Sequence, residues 1–158
     1  DQRFISYFFY IFPTNLIIFG ILLGLADHFG KQTKAYEDMS LRDAILVGCA
    51  QALALIPGTS RSGSTMTAAR ALGYTRVESA RFSFLLAIPA VAGAGLLAAL
   101  DLADATAQMQ QDALVTGILT FFAALATMMF LMNFLKKASM LVFVIYRVLL
   151  GSALLLFL

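Results

Sequence analysis

Four apolar runs dominate the sequence, at residues 4–26, 82–100, 113–135 and 140–158. Each contains roughly 20 residues, the length that an α-helix needs to cross about 30 Å of hydrocarbon. The chain is 61% hydrophobic and 13% charged, whereas a soluble domain is about 45–50% apolar and about 25% charged. Continuous apolar runs of this length satisfy their backbone hydrogen bonds internally as helices. The sequence therefore predicts an all-α integral membrane protein with four transmembrane helices in a single membrane domain, 1–158.

A fifth apolar segment, 44–56, is too short to cross a bilayer, because Pro57 and Gly58 end it after about thirteen residues. A second short helix is predicted over 64–72. The two helices together predict a re-entrant helix-turn-helix hairpin over 44–72. Non-helical backbone at membrane depth is tolerated only where it is buried in protein or lines a cavity. The tip of the hairpin is therefore expected to face a binding site.

Local signals mark where helices begin, end and bend. Ser40, followed by Asp43, resembles a capping box that begins the hairpin, and Gly73 is placed to end its second helix. Pro13 predicts a kink or break in the first span, and Pro89 predicts an interruption in the second. The hairpin is therefore expected to have defined ends, and two of the spans are expected to be irregular.

The tip of the predicted hairpin, residues 57–65, is unusually polar for a membrane segment. Its nine residues include one arginine, two glycines and five hydroxyl side chains. A guanidinium offers donors that match phosphate oxygens, and glycines let backbone amides approach an anion. The pattern indicates a phosphate-binding loop, with the N-terminus of the following helix pointing at the anion. The alternative role for Arg61 is a cation that only ties the loop to a carboxylate.

Lysine and arginine are unevenly distributed among the connections between the spans. The polar connection 27–43 and the junction at Lys136 and Lys137 contain basic residues, whereas 101–112 contains three aspartates and no basic residue. By the positive-inside rule, the first two are predicted to be cytoplasmic and 101–112 external. The net charge of +2 is small and scattered, which argues against nucleic acid as a partner.

Several motifs together resemble one known family of membrane enzymes. They are the run 40–44, the run 51–65 with its PGTSRSGST core, the run 81–89 and the pair Tyr146-Arg147. In this combination the chain resembles undecaprenyl-diphosphate phosphatases of the BacA/UppP type over essentially its whole length. The resemblance implies a multi-pass protein of the bacterial inner membrane. Such a protein removes the terminal phosphate of undecaprenyl diphosphate and so recycles the lipid carrier for peptidoglycan synthesis.

One signature of that family, an N-terminal glutamate-rich element followed by a serine, threonine and histidine run, has no counterpart in the sequence. The chain therefore resembles the second half of an inverted-repeat architecture, and it is expected to need an N-terminal half as a partner and to be inactive alone. The resemblance suggests Mg²⁺ or Ca²⁺ as cofactor, with no metal ligand expected in this chain. The other expected partners are a polyprenyl diphosphate lipid and the membrane, and a homodimer is a further candidate.

The resemblance also assigns roles to residues of the polar tip. Arg61 would bind the diphosphate and stabilise charge in the transition state, with Ser60 beside it as the second catalytic candidate. Ser60, Ser62 and Thr65 would donate hydrogen bonds to phosphate oxygens. Binding is favoured over nucleophilic attack for Ser60, because no base is placed to activate it. The substrate-binding set is completed by Gly58, Gly63 and Ser64, although hydrogen bonding within the loop is equally expected of Ser64.

Two polar residues outside the tip have open roles. Gln51 either hydrogen-bonds within the hairpin or contacts substrate. Arg147 lies about 15 Å along a helix from Lys137, near the middle of the bilayer, where an unpaired charge is costly. It is expected to pair with an acid outside this chain or to contact substrate. Because broken helices at the midplane are also a transporter design, movement of a polyprenyl phosphate without hydrolysis is the alternative function.

Overall fold

The computed structural model describes residues 2–103 and 105–157, with side chains from Phe9 onward. This part of the chain contains helices and no β-strand, which confirms the all-α prediction. Single turns of 3₁₀ helix occur at Tyr36–Asp38 and Leu53–Leu55. The α-helices, in chain order, are α1 Gln2–Phe29, α2 Leu41–Ala52, α3 Arg61–Ala71, α4 Arg76–Ala103, α5 Ala107–Leu135 and α6 Leu141–Phe157.

Three of these helices are long and apolar enough to cross a membrane, namely α1 over Phe9–Phe29, α4 and α5. The apolar α6 has 17 described residues and is shorter than a usual span. All four helices coincide with the predicted spans and extend a few residues beyond them at most ends. The chain therefore has the architecture of a multi-pass membrane protein.

Neither proline breaks its helix. α1 continues through Pro13 and α4 through Pro89, so the predicted break and interruption do not occur, while a bend at Pro13 stays a prediction. A proline removes one backbone hydrogen bond, and groups around a membrane helix compensate for that loss. In α1 the proline is fully buried, and Thr14 Oγ1 donates to Tyr10 O at 2.7 Å.

The first helix of the hairpin begins earlier than predicted. α2 begins at Leu41 because Ser40 caps it, with Ser40 Oγ accepting from Asp43 N at 3.1 Å. The capping prediction is therefore confirmed at the serine. The last part of the predicted segment 44–56 is not α-helical, since a 3₁₀ turn at Leu53–Leu55 tightens the chain before the polar tip.

The second helix of the hairpin also begins earlier than predicted. α3 begins at Arg61 rather than at Ser64, because Ser60 caps it, with Ser60 Oγ accepting from Gly63 N at 3.3 Å. Three of the seven residues expected in the loop 57–63 therefore belong to the first turn of α3. At the other end, the prediction for Gly73 is confirmed, since it has φ +97° just beyond the last residue of α3, a conformation that favours glycine.

The most extensive packing between helices joins α1 to α6. Gly20 and Gly24, two small residues four apart on α1, both face α6. A Cβ added at Gly20 would lie 3.1 Å from Arg147 Cβ, and one at Gly24 would lie 3.3 Å from Val144 Cγ2. Small residues at this spacing let two membrane helices approach closely.

An ionic cluster, defined here as Asp27, Arg70, Arg76 and Ser139, joins α1, α3 and α4 to the connection before α6 at the base of the hairpin. The Asp27 carboxylate accepts from Arg70 Nε at 2.9 Å, from Arg76 Nε at 2.8 Å and from Ser139 Oγ at 3.2 Å. Asp27 was predicted to begin the connection 27–43, but α1 continues to Phe29 and buries this carboxylate. The cluster places the end of α3 beside the end of α1 and the connection before α6.

The hairpin inserts deep among the helices, as the re-entrant prediction requires. Its tip contacts α1 at Asn15, whose Nδ2 donates to Pro57 O at 2.9 Å. Asn15 lies about 20 Å along α1 from Phe29, at about 1.5 Å per residue. The tip is therefore more than halfway across about 30 Å of hydrocarbon. In contrast to the hairpin, α5 is exposed, since none of its most apolar stretch is buried by the described residues.

Candidate active site at the hairpin tip

Contacts with α1 fix the turn at the tip of the hairpin. Gly58 has φ +85° and lies so close to α1 that an added Cβ would collide with the Phe12 carbonyl oxygen. Only glycine combines this backbone conformation with so close an approach. Pro57 O is held in turn by Asn15. The sequence predicted Gly58 as part of the substrate-binding set, and its surroundings give it a structural role in shaping the tip.

Arg147 holds the tip from α6. Its side chain is buried, and it donates to Gly58 O and Thr59 O at 2.9 Å each and to Leu16 O at 3.2 Å. The expectation that this arginine lacks a partner within the chain is therefore wrong, because three backbone carbonyl oxygens satisfy it. A guanidinium is suited to this contact since its planar fork bridges neighbouring acceptors.

Ser60 is held in a strained backbone conformation. It has φ +69° and ψ +122°, and among the described residues no other non-glycine residue has a positive φ. Such outliers cost roughly 1–3 kcal/mol and persist where the surroundings over-determine them. Here Ser60 Oγ accepts from Gly63 N, Ser60 O accepts from Ser64 N at 3.0 Å, and Arg147 holds the preceding carbonyl. The strain turns the side chain of Ser60 toward the beginning of α3.

A cavity of about 270 Å³ adjoins this turn. Its polar wall consists of Ser60, Ser62, Gly63 and Arg147, which lie together: the two serine Oγ atoms are 3.4 Å apart, and a Cβ added at Gly63 would lie 2.7 Å from Arg147 Nη1. The rest of the lining is mainly apolar and comes from α1, α3, α5 and α6. These residues are Leu16, Leu23, Met66, Leu131, Leu135, Met140, Phe143 and Tyr146.

A cavity with one polar wall and one apolar wall suits a ligand that has a polar head and a hydrocarbon chain. Hydroxyls, a guanidinium and the N-terminus of α3 can donate hydrogen bonds to an anionic group. The apolar wall can contact a hydrocarbon chain attached to that group. Met66 follows Ser62 by one helical turn, so α3 presents both parts of the lining on one face.

Arg61 is not part of the cavity wall. It is the first residue of α3, and its Nη1 atom is buried without a hydrogen-bond partner in the part of the chain that the structure describes. A buried, unpaired guanidinium nitrogen is costly, so this donor requires a partner from outside these residues. Its predicted role on the diphosphate stays a prediction, and no carboxylate contact of the kind considered as its alternative role is present among the described residues.

Two hydroxyls of the predicted set are engaged within the fold. Thr65 is almost fully buried, and its Oγ1 bonds with Arg61 O at 3.0 Å and with Ser83 Oγ on α4 at 2.8 Å. Ser64 Oγ donates to Arg61 O at 3.0 Å. Their predicted contacts with phosphate stay predictions, and the geometry gives both residues a role in packing and helix structure.

Two oxygen atoms elsewhere in the hairpin resemble Arg61 in having no partner. Gln51 Oε1 and Thr59 Oγ1 are buried, and neither makes a hydrogen bond to another described residue. The Gln51 oxygen therefore makes no hydrogen bond within the described hairpin, and its predicted contact with substrate stays a prediction. Polar atoms of this kind are normally satisfied, so each of these two oxygens requires a donor that the described residues do not supply.

The donor set at the tip does not fit a divalent cation. Mg²⁺ and Ca²⁺ prefer carboxylate and carbonyl oxygens, whereas the polar wall offers serine hydroxyls and the positive charge of Arg147. In the described part of the chain, no group of three or more histidine, cysteine, aspartate or glutamate side chains is arranged to hold a metal ion. The suggested Mg²⁺ or Ca²⁺ stays a prediction that these residues do not support.

Sequence reasoning missed several residues that the fold brings to the cavity. The apolar wall depends on which helices meet, and composition alone does not reveal this. Met66 could have been predicted, because it follows Ser62 at helical spacing. The predicted helix began only at residue 64, however, and so did not include Ser62. Tyr146 was noted only as part of a motif, and the structure places it in the wall.

The fold and the site together define a class: integral membrane proteins in which a re-entrant helical hairpin carries a polar tip beside an amphiphilic cavity. Residues 2–153 match the model of the family described as bacitracin resistance protein BacA. The chain belongs to this family.

Curated relatives support the same assignment. The chain is similar to an undecaprenyl-diphosphatase of Erythrobacter litoralis, with 68% identity over 90% of this chain and 50% of the relative. Undecaprenyl-diphosphatases of Thermomicrobium roseum and Micrococcus luteus are each 48% identical, over 89% and 92% of this chain and over 51% and 54% of the relatives. The chain thus spans about half the length of the curated relatives it matches.

Proposed function

We propose that this chain contributes the second half of an undecaprenyl-diphosphatase in the inner membrane of a bacterium. The observation that carries the proposal is the amphiphilic cavity, whose serine and arginine wall adjoins an apolar wall large enough for the beginning of a lipid chain. Membership of the BacA family and the names of the curated relatives support the same substrate. The reaction would be hydrolysis of undecaprenyl diphosphate to undecaprenyl phosphate and inorganic phosphate.

The residues of the polar wall would act by binding and by stabilising charge. Ser60 and Ser62 would donate hydrogen bonds to phosphate oxygens, and the N-terminus of α3 would favour their negative charge. Arg147 would add its Nη1 edge while its other donors keep the tip in shape. Phosphoryl transfer depends mainly on such positioning and electrostatic stabilisation.

The deprotonation of water would be the task of groups outside this chain. Ser60 Oγ accepts from Gly63 N, and no carboxylate or imidazole of the described residues lines the cavity. The unpaired atoms of Arg61 and Gln51, residues that are only partly buried, support a second surface that meets the hairpin. We infer that an N-terminal half supplies this surface and that Arg61 completes its hydrogen bonds there or on the terminal phosphate.

The test measures phosphate release from undecaprenyl diphosphate by this chain, alone and co-expressed with the preceding half of the Erythrobacter relative. We expect turnover only from the pair. Arg61→Ala should lower the rate by about 10³-fold, within the range for arginines that stabilise phosphoryl-transfer charge. Arg81→Ala is the matched control, since its half-exposed side chain lies on α4, pairs with Glu78, lies over the Tyr36 ring and is not in the cavity wall.

Two outcomes would count against the proposal. Substantial turnover by the chain alone would show that no second half is needed for the chemistry. The second outcome is movement of the lipid across the vesicle membrane by the two co-expressed halves with no phosphate released. This result would favour the transporter alternative.

A further inference from the structure

A second cavity of about 260 Å³ lies at the base of the hairpin, away from the tip. It is formed by the last turn of α1, the connection that follows, and the first residues of α4 and α6. Most of its wall can form hydrogen bonds, in contrast to the cavity at the tip. The lining residues are Gly24, Asp27, His28, Gln32, Arg76, Ser139 and Leu141.

The charges beside this cavity do not cancel. Asp27 carries one negative charge, and it is paired with two guanidinium groups, those of Arg70 and Arg76. The carboxylate oxygens are occupied by these arginines and by Ser139. The ionic cluster therefore has a net charge of about +1 at neutral pH, because arginine remains protonated.

The surplus charge is available at Arg76 rather than at Arg70. Arg70 is fully buried and its donors reach Asp27 and the backbone carbonyls of Asp27 and Tyr74. Arg76 has a quarter of its side chain exposed and bonds Asp27 through Nε and Nη2. Its Nη1 makes no hydrogen bond to any other described residue, so this edge can donate to a bound group.

Further positive charges lie next to the lining residues in sequence. Lys136 and Lys137 form the turn just before Ser139, and Lys31 precedes Gln32 in the connection after α1. The cavity wall includes Leu141, the first residue of α6, where the helix dipole is positive. Because α1 ends and α6 begins beside the cavity, the cavity lies at the level of lipid headgroups rather than in hydrocarbon.

We propose that this base cavity binds a phosphate group, supplied by the headgroup of an anionic phospholipid. Arg76 Nη1, His28 and Gln32 offer donors for the phosphate oxygens, and basic pockets between membrane helices are known to hold such headgroups. Inorganic phosphate presents the same oxyanion and is the other source of this ligand. The site is independent of hydrolysis at the hairpin tip.

Native mass spectrometry of the chain, released from nanodiscs of equal phosphatidylglycerol and phosphatidylcholine, tests the proposal. Wild type should retain phosphatidylglycerol selectively. Arg76→Gln removes one charge-assisted hydrogen bond to the headgroup and should weaken that retention about tenfold, which corresponds to about 1.4 kcal/mol. Arg81→Gln removes the same charge from the same helix at a half-exposed position and should retain the lipid.

Because Arg76 also pairs with Asp27, a second pair of variants separates loss of lipid binding from loss of the fold. Gln32→Glu adds a negative charge to the cavity wall without removing an ion pair, and it should also abolish selective retention. Thr33→Glu adds the same charge at the next residue, which does not line the cavity, and should have little effect.

Competition with inorganic phosphate separates the two sources of the ligand. We expect phosphatidylglycerol to remain bound when phosphate is added. Binding of phosphate alone, lost in Gln32→Glu and kept in Thr33→Glu, would overturn the lipid source while supporting the phosphate site. Equal retention of phosphatidylglycerol in wild type and all four variants would overturn the site itself.

Discussion

At the scale of single residues, two arginines fix the hairpin at its opposite ends. Arg70 joins the base to Asp27 and to backbone carbonyls, and Arg147 joins the tip to Gly58 O and Thr59 O. Both are buried and both satisfy backbone carbonyls that lie outside regular hydrogen-bond ladders. A buried charge is tolerated when it is hydrogen-bonded in this way.

Truncating Arg147 should therefore destabilise the protein strongly. Arg147→Ala leaves Gly58 O and Thr59 O without their donor and should lower the free energy of unfolding by about 3 kcal/mol, because each unsatisfied buried acceptor costs about 1–3 kcal/mol. Arg147→Lys keeps the charge but loses the bridging fork, so an intermediate loss is expected. Denaturation in detergent checks both, and a loss no larger than that of the half-exposed Arg81→Ala would contradict this role.

A second residue-scale prediction concerns Tyr74, whose hydroxyl donates to Asp43 Oδ2 at 2.7 Å. Burial, and then the adjacent carboxylate, raise the pKa of Tyr74 to about 12. The stabilisation is complete below the ordinary tyrosine pKa of about 10 and is lost as pH rises to about 12. The thermal midpoint of the protein should fall across this interval. Tyr74→Phe should remove that part of the fall and Tyr36→Phe should keep it; identical alkaline profiles would refute the assignment.

The acid side of the same contact has the opposite sign. The hydrogen bond from Tyr74, followed by that from Lys34, lowers the pKa of Asp43. Its stabilisation is therefore present above the ordinary aspartate pKa of about 3.9 and is lost as pH falls through the lowered value. Asp43→Asn should reduce acid sensitivity, as measured by the thermal midpoint between neutral and acidic pH. An unchanged acid profile in Asp43→Asn would contradict this contribution.

At the scale of elements, the hairpin depends on a turn that only glycine can form. Gly58→Ala should destabilise the protein, because it combines φ +85° with a collision between the new Cβ and Phe12 O. Gly48→Ala is the matched control in α2, where an added Cβ would meet no atom within 4 Å. It should be neutral or stabilising by up to about 1 kcal/mol. Thermal unfolding of both variants would decide, and equal effects would contradict this account of the turn.

The sequence predicted the elements better than their contacts. Apolar run length and the caps at Ser40 and Gly73 placed the spans and the hairpin, because these signals are local. The start of α3 was missed because serine can cap a helix or remain in a loop, and Arg61 was read as a loop residue. The wall of the tip cavity was not predictable, since it depends on which helices meet.

The arginines illustrate the same limit. Helix geometry predicted Arg147 near the middle of the bilayer, which stays a prediction, but it did not predict that its partners are backbone carbonyls more than eighty residues away in sequence. Asp27 was assigned to a solvated connection because it follows an apolar run. The carboxylate is buried only because α1 continues past it and two distant arginines converge there.

At the scale of the whole molecule, the fold gathers the basic connections at one end. The ionic cluster brings the end of α1, the base of the hairpin and the beginning of α6 together. The positive-inside rule predicts that this end is cytoplasmic. Cysteines at Lys34 and Ala105, in a Cys49→Ala background, should therefore react with an impermeant reagent from opposite sides. Equal labelling of both in intact cells would refute the orientation.

The central claim is that the cavity at the hairpin tip receives the diphosphate and the first part of the lipid chain. The most direct measurement is photo-crosslinking with a polyprenyl diphosphate that carries a diazirine in its first isoprene unit, followed by peptide mapping of the inserted protein. Crosslinks should map to Met66, Phe143 and Tyr146, which line the apolar wall, and should be displaced by unlabelled undecaprenyl diphosphate. Crosslinks confined to the exposed outer face of α5, around Phe121 and Phe122, would contradict the claim.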